Sequence, residues 1–207
     1  MKLYSYWRSS AAYRVRIALN LKGLDYELIP IDLAAGEHLG EEYREVNPQG
    51  LVPVLEFSDG IRLSQSQVIV DALETRFPEP SLLPDSSAEV AREIAAVVAC
   101  EIHPLNNLRV LKSLRERFAA DEDQVTAWYH HWLQLGFDTI EARVVDDGEF
   151  ACGNSPTIAD VFIIPQLYNA HRFRFSLENH PKLQRVELAC QRLPAFQKAA
   201  PEEPQLS

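Results

Sequence analysis

Cysteine is scarce in this chain. The three, Cys100, Cys152 and Cys190, are far apart and odd in number. That suits a reducing compartment better than a disulfide framework. No pair of them has metal-ligand spacing, and no cluster of other residue types replaces it, so no metal is expected. Excess positive charge is also absent. Lys and Arg number 20 against 30 Asp and Glu, a net charge of -10. Nucleic-acid affinity rests on neutralising phosphates, so an acidic chain is a poor candidate for it. No apolar run is long enough to span a bilayer. Lys2, Arg8 and the serines interrupt any signal-peptide core near the start. The expectation is a soluble cytoplasmic protein without nucleic-acid or membrane partners. Paired carboxylates in a catalytic spacing, a phosphate loop and a serine-hydrolase elbow are missing too.

What is present is an ordinary globular composition. With 207 residues, 46% of them apolar, the chain can build one large domain or two small ones. The informative stretch is Trp7-Arg8-Ser9-Ser10-Ala11-Ala12-Tyr13-Arg14-Val15-Arg16-Ile17-Ala18-Leu19. A short apolar strand, Lys2 to Trp7, leads into it. Ala11, Val15, Ala18 and Leu19 follow at helical spacing, with Arg14, Arg16 and Lys22 on other faces, and Gly23 ends the helix. Ser9 and Ser10 therefore stand at the positive end of a helix. They read equally as ordinary caps or as a place to hold an anion, a thiolate included.

Further along, Tyr26 to Leu33 reads as a second strand, parallel to the first because a helix joins them. His38 lies in a loop, where solvation is the default. Glu41 to Val46 is a short helix before Asn47-Pro48. Gln49-Gly50-Leu51-Val52-Pro53-Val54-Leu55 opens a strand with Pro53 at its mouth. Phe57 to Ile61 is a hairpin turn. Gln65-Ser66 starts a helix to about Arg76, with Ser66 as N-cap or as anion site. The order is βαβαββα. Residues 81–87 have linker composition, so the expected division is 1–80, linker 81–87 and 88–207.

The second part is helical. Pro104 is expected to kink its first helix. Cys100, His103 and Asn107, spaced i, i+3, i+7, are expected on one face. Val125, Trp128, Trp132 and Leu135 read as the core stripe of a long helix. Thr157-Ile158-Ala159-Asp160 is a capping-box variant before an all-apolar helix. Arg172 falls near that helix's end, solvated or facing its dipole. The tail from Pro201 reads as loose.

"YWRSSAAYRVRIALNLKG" resembles the signature of the zeta-class glutathione transferases, the maleylacetoacetate isomerases. N-P-Q-G-L-V-P, Gln65-Ser66, H-P-L-N-N-L-R and Thr-x-x-Asp extend the likeness over nearly the whole chain. The family cysteine is replaced by Ala11. The resemblance implies an α/β plus all-α architecture: an N-terminal thioredoxin-like domain and a C-terminal helical bundle. It implies glutathione as cofactor and a homodimer. It makes Ser9 and Ser10 catalytic, with His38, Val52, Gln65, Ser66, His103 and Asn107 contacting glutathione. The backbone of Val52, beside a cis proline, would pair with the peptide, and Gln65-Ser66 would take its γ-glutamyl carboxylate. Arg8, Arg109 and Arg172 would hold a small acidic enedioyl substrate. The implied chemistry is reversible thiolate addition to a cis double bond, rotation, and expulsion to leave the trans isomer. A maleylpyruvate isomerase shares these features. A general transferase of xenobiotics fits the arginines less well, and a non-catalytic binding protein fits the serines less well.

Overall fold

The computed structural model describes residues 1–202. Contacts divide the chain into two compact units: Met1–Leu82 together with the chain from Gln191 onward, and Leu83–Cys190.

The first unit begins with β1 (Lys2–Ser5), α1 (Ser10–Leu21) and β2 (Glu27–Pro30). A 3₁₀ turn (Glu37–Leu39) and α2 (Glu41–Val46) follow, then β3 (Val54–Glu56), β4 (Arg62–Ser64) and α3 (Ser66–Arg76). The sheet order is β2-β1-β3-β4. β1 and β2 are parallel, with Leu3 opposite Leu28, as the intervening helix demands. β3 runs antiparallel to β1 and to β4. Leu3, Val54 and Leu55 from the sheet, with Val15, Ile17, Leu19, Ile69 and Leu73 from α1 and α3, form the core.

Arg14, Arg16 and Lys22, expected on other faces than the apolar stripe, are all buried. The guanidinium of Arg16 donates to the carbonyls of Ala199 (2.8 Å) and Trp7 (3.1 Å) and to Ser5 Oγ (3.1 Å). Lys22 Nζ reaches Glu74 Oε1 at 2.6 Å and the carbonyls of Phe77 and Pro80 at 2.7 and 2.9 Å. Buried charge survives only where such partners replace water.

The second unit contains α4 (Ala88–Ala96), a π-helical turn (Val97–Ile102), α5 (Leu108–Phe118), α6 (Glu122–Arg143), α7 (Ile158–Arg172) and α8 (Pro181–Gln191). α7 is buried nearly all round, as its composition requires. Its capping box is formed: Asp160 accepts from the N–H of Thr157 (2.7 Å), the Thr157 hydroxyl (3.0 Å) and the N–H of Ala151 (2.8 Å). On α6 the buried residues are Val125, Tyr129, Leu133, Gly136, Phe137 and Ile140. The expected stripe is thus rotated: Trp128 and Trp132 are half-buried and Leu135 is exposed. A Cβ on Gly136 would meet Ile102 at 2.3 Å, so glycine permits the π turn to lie against α6.

The last helix, α9 (Pro194–Ala199), departs from the expected 88–207 partition. It packs on α1, buries Phe196 and Ala199, and accepts a bond from Asn20 Nδ2 at the Ala195 carbonyl (3.0 Å). Of the tail expected to be loose, residues 203–207 lie outside the described residues.

Candidate active site

In the first unit, α1 starts as the serines suggest. Ser9 is the N-cap, and its Oγ accepts from the N–H of Ala12 at 3.2 Å. With its oxygen held there, the hydroxyl proton remains to be donated outward. Ser10 is the first helical residue and is buried. No acid lies in the first turn of α1, so its positive end is uncompensated. Arg8 is exposed, its guanidinium 5.1 Å from the Trp7 ring centre.

The start of α3 is built differently from the expectation. Gln65, not Ser66, is the N-cap, at φ 68° and ψ 111°, left-handed backbone that a non-glycine residue adopts under strain. Ser66 is the first helical residue, and its Oγ accepts from Arg14 Nη1 at 3.1 Å. That bond ties α1, one turn in, to the first turn of α3. Here too the first turn carries no acid.

The loop before β3 meets the start of α3. The Val52–Pro53 peptide is cis. Among the described residues, the N–H and C=O of Val52 meet no hydrogen-bond partner. The loop is held from behind: Leu51 C=O accepts from Tyr43 Oη and Asn47 Nδ2, both at 2.7 Å. Gln65 Nε2 donates to Gln49 Oε1 at 2.8 Å across the front. Gly50, at φ 61°, lies where a Cβ would meet the His38 carbonyl at 2.8 Å, so only glycine lets the two loops touch. His38 Nδ1 is buried without a hydrogen-bond partner among the described residues.

In the second unit the expected shared face is broken. The helix bearing Cys100 turns π-helical and ends at Ile102, so Cys100 and Asn107 do not lie on one helix. Cys100 is exposed. Asn107 instead N-caps α5, its Oδ1 accepting from the N–H of Arg109 at 3.1 Å. His103 is half-buried just past the π turn, and Arg109 is exposed. Arg172 ends α7, exposed, with Nη1 3.4 Å from Asn169 Oδ1.

One residue that the sequence did not mark joins these pieces. Asn106 Nδ2 donates to the carbonyl of Tyr129 at 3.1 Å, while the Tyr129 ring stacks on Phe173 with centroids 3.6 Å apart. His130 Nε2 donates to the Phe173 carbonyl at 2.7 Å. α6 thus holds both the 103–109 segment and the end of α7. Arg14 and Gln49 were missed in the same way. A charged residue amid apolar helix neighbours was the available signal for Arg14.

Residues 8–76 match the family model for the glutathione S-transferase N-terminal domain, and 133–195 match its C-terminal domain. A maleylacetoacetate isomerase of Pseudomonas aeruginosa is 45% identical over 97% of this chain and 96% of its own. The chain belongs to the zeta-class glutathione transferases. A solved structure of a maleylpyruvate isomerase, described as a bacterial zeta-class transferase, superposes with a TM-score of 0.93 at 44% identity, covering 97% of each chain. A maleylacetoacetate isomerase from Methylobacterium extorquens AM1, solved with malonate and glutathione bound, gives a TM-score of 0.92 at 35% identity over 97% and 96%. Among the described residues of this zeta-class chain, no helix is long and apolar enough to cross a membrane, and no three His, Cys, Asp or Glu side chains gather where they could hold a metal ion.

Proposed function

We propose that this chain is a glutathione-dependent cis–trans isomerase converting maleylacetoacetate to fumarylacetoacetate in tyrosine and phenylalanine breakdown. The observation that carries the reading is Ser9: an N-cap hydroxyl with its proton free to donate, at an uncompensated helix start. The residues fit glutathione. Val52 offers an open backbone edge to an extended peptide. The start of α3, with Ser66, offers free N–H groups to a carboxylate. His38 brings a buried nitrogen without a partner.

When bound, glutathione supplies the sulfur nucleophile whose reversible addition lets the double bond rotate. The protein's part is electrostatic. Ser9 donates toward the sulfur, the α1 dipole favours its negative charge, and buried Ser10 supports the turn. Gln65 and Ser66 take the γ-glutamyl carboxylate. His103 and the Nδ2 of Asn107 contact the cofactor. Arg8, Arg109 and Arg172 bind the substrate carboxylates and stabilise enolate charge, which a guanidinium fork suits. Ala11 can neither donate nor react, and none of these roles needs a thiol from the protein. We further propose that the chain works in the cytoplasm as a homodimer.

The structure of a maleylpyruvate isomerase at TM-score 0.93 favours a second reading, in which maleylpyruvate is the substrate. One assay separates the two. Absorbance is followed on maleylacetoacetate and on maleylpyruvate, with and without glutathione, beside a chloroaromatic electrophile. The expected result is faster, glutathione-dependent turnover of maleylacetoacetate. Faster maleylpyruvate turnover selects the second reading, and turnover of the chloroaromatic alone rejects both.

A further inference from the structure

Arg14 lies one turn into α1, shut off from solvent, and its Nη1 donates to Ser66 Oγ at 3.1 Å. A guanidinium is costly to bury, so its placement needs a return. Arg16 and Lys22 secure the main chain, since most of their donors end on carbonyls. Arg14 donates to a hydroxyl at the entrance of a helix whose first turn carries no acid. Burial lowers its pKa from 12.5 to about 9, which leaves it charged at neutral pH. The Ser66 oxygen accepts from Arg14, so its own proton is directed away from Arg14. A cation behind that oxygen makes the hydroxyl a stronger donor and adds attraction for an anion to that of the helix start.

We propose that Arg14 is a positioning residue for the γ-glutamyl carboxylate of glutathione, acting through the Ser66 hydroxyl and through its buried charge. The proposal rests on reading Ser66 as the carboxylate site. Met at position 14 keeps an apolar stem of similar reach and removes the charge, a swap that buried sites often tolerate.

The test is calorimetric and uses two peptides: glutathione, and 4-aminobutyryl-cysteinyl-glycine, which lacks only that carboxylate. In the full chain, Arg14→Met is expected to weaken glutathione roughly 10- to 100-fold, the loss of a charge-assisted bond. It is expected to leave the analogue's affinity nearly unchanged. Equal losses on both peptides, or none on glutathione, would overturn the proposal. Should the variant not fold, the unaltered protein still decides. The ¹⁵N side-chain resonances of Arg14 are expected to move on saturation with glutathione and not with the analogue, and equal movement with both overturns it. Failure of the unaltered protein to bind glutathione at all would instead remove the Ser66 reading beneath it.

Discussion

Ser9 and Ser10 are adjacent, yet their environments separate them. Ser9 is half-buried, with its oxygen already accepting from Ala12, and Ser10 is buried one residue further into the helix. If donation to sulfur is the chemistry, Ser9→Ala should lower kcat by roughly 10²- to 10³-fold, the usual loss for one preorganised donor. Ser10→Ala should cost less. The glutathione thiol in the complex should titrate below its ordinary ~8.5, and Ser9→Ala should return it toward that value. A larger kcat loss for Ser10→Ala would reverse the ranking. These serines were legible in the sequence because capping is a local event, decided within four residues. Arg14, Arg16 and Lys22 were not. Their partners Ser66, Ala199 and Glu74 lie far along the chain, and helical spacing carries no trace of them. A charged residue is by default solvated, yet Arg14, Arg16 and the C-cap Lys22 are all buried.

At the scale of elements, period and punctuation gave the order βαβαββα and the hairpin between β3 and β4. They misplaced whatever depends on how closely helices approach. On α6 the heavy aromatics drew the expected stripe to Trp128 and Trp132, whereas Gly136 marks the line that lies against the π turn. Two predictions belong here. Lys22 closes the end of α1 onto α3 through Glu74, itself nearly buried and also accepting from the N–H of Leu82. Removing one partner strands the other, so Lys22→Met should cost about 3–5 kcal/mol in urea unfolding. The cap of α7 should read out in pH. Burial raises the Asp160 carboxyl from 3.8 to about 6, against the pull of the Ala151 and Thr157 donors. Below about pH 4 both folded and unfolded chains hold this proton. Between 4 and 6 the unfolded chain releases it first, so the contribution of Asp160 to stability falls as pH rises through that window. Asp160→Asn lacks the titration. The stability difference between parent and variant should therefore be greater at pH 4 than at pH 7, and a difference that grows with pH would contradict it.

For the molecule as a whole, the chain does not divide where its composition does. The linker-like 81–87 stretch marks one crossing between units, but the return of the chain at Gln191 has no such punctuation. The expected 88–207 partition puts α9 with the helical part, while α9 packs against α1. The consequence reaches the proposed site. α1 carries Ser9 at one end, and it is backed by Phe196 and Ala199 and by the bonds from Arg16 and Asn20 to α9 carbonyls. Phe196→Ala opens a cavity in that backing and should cost about 3–5 kcal/mol. Because the loosened helix is the one that presents Ser9, glutathione affinity should fall as well, in a residue remote in sequence from every candidate ligand contact. Unfolding in urea with and without saturating glutathione measures both effects. A binding-linked stabilisation as large in Phe196→Ala as in the parent would show that α9 supports the fold of this unit without supporting its site.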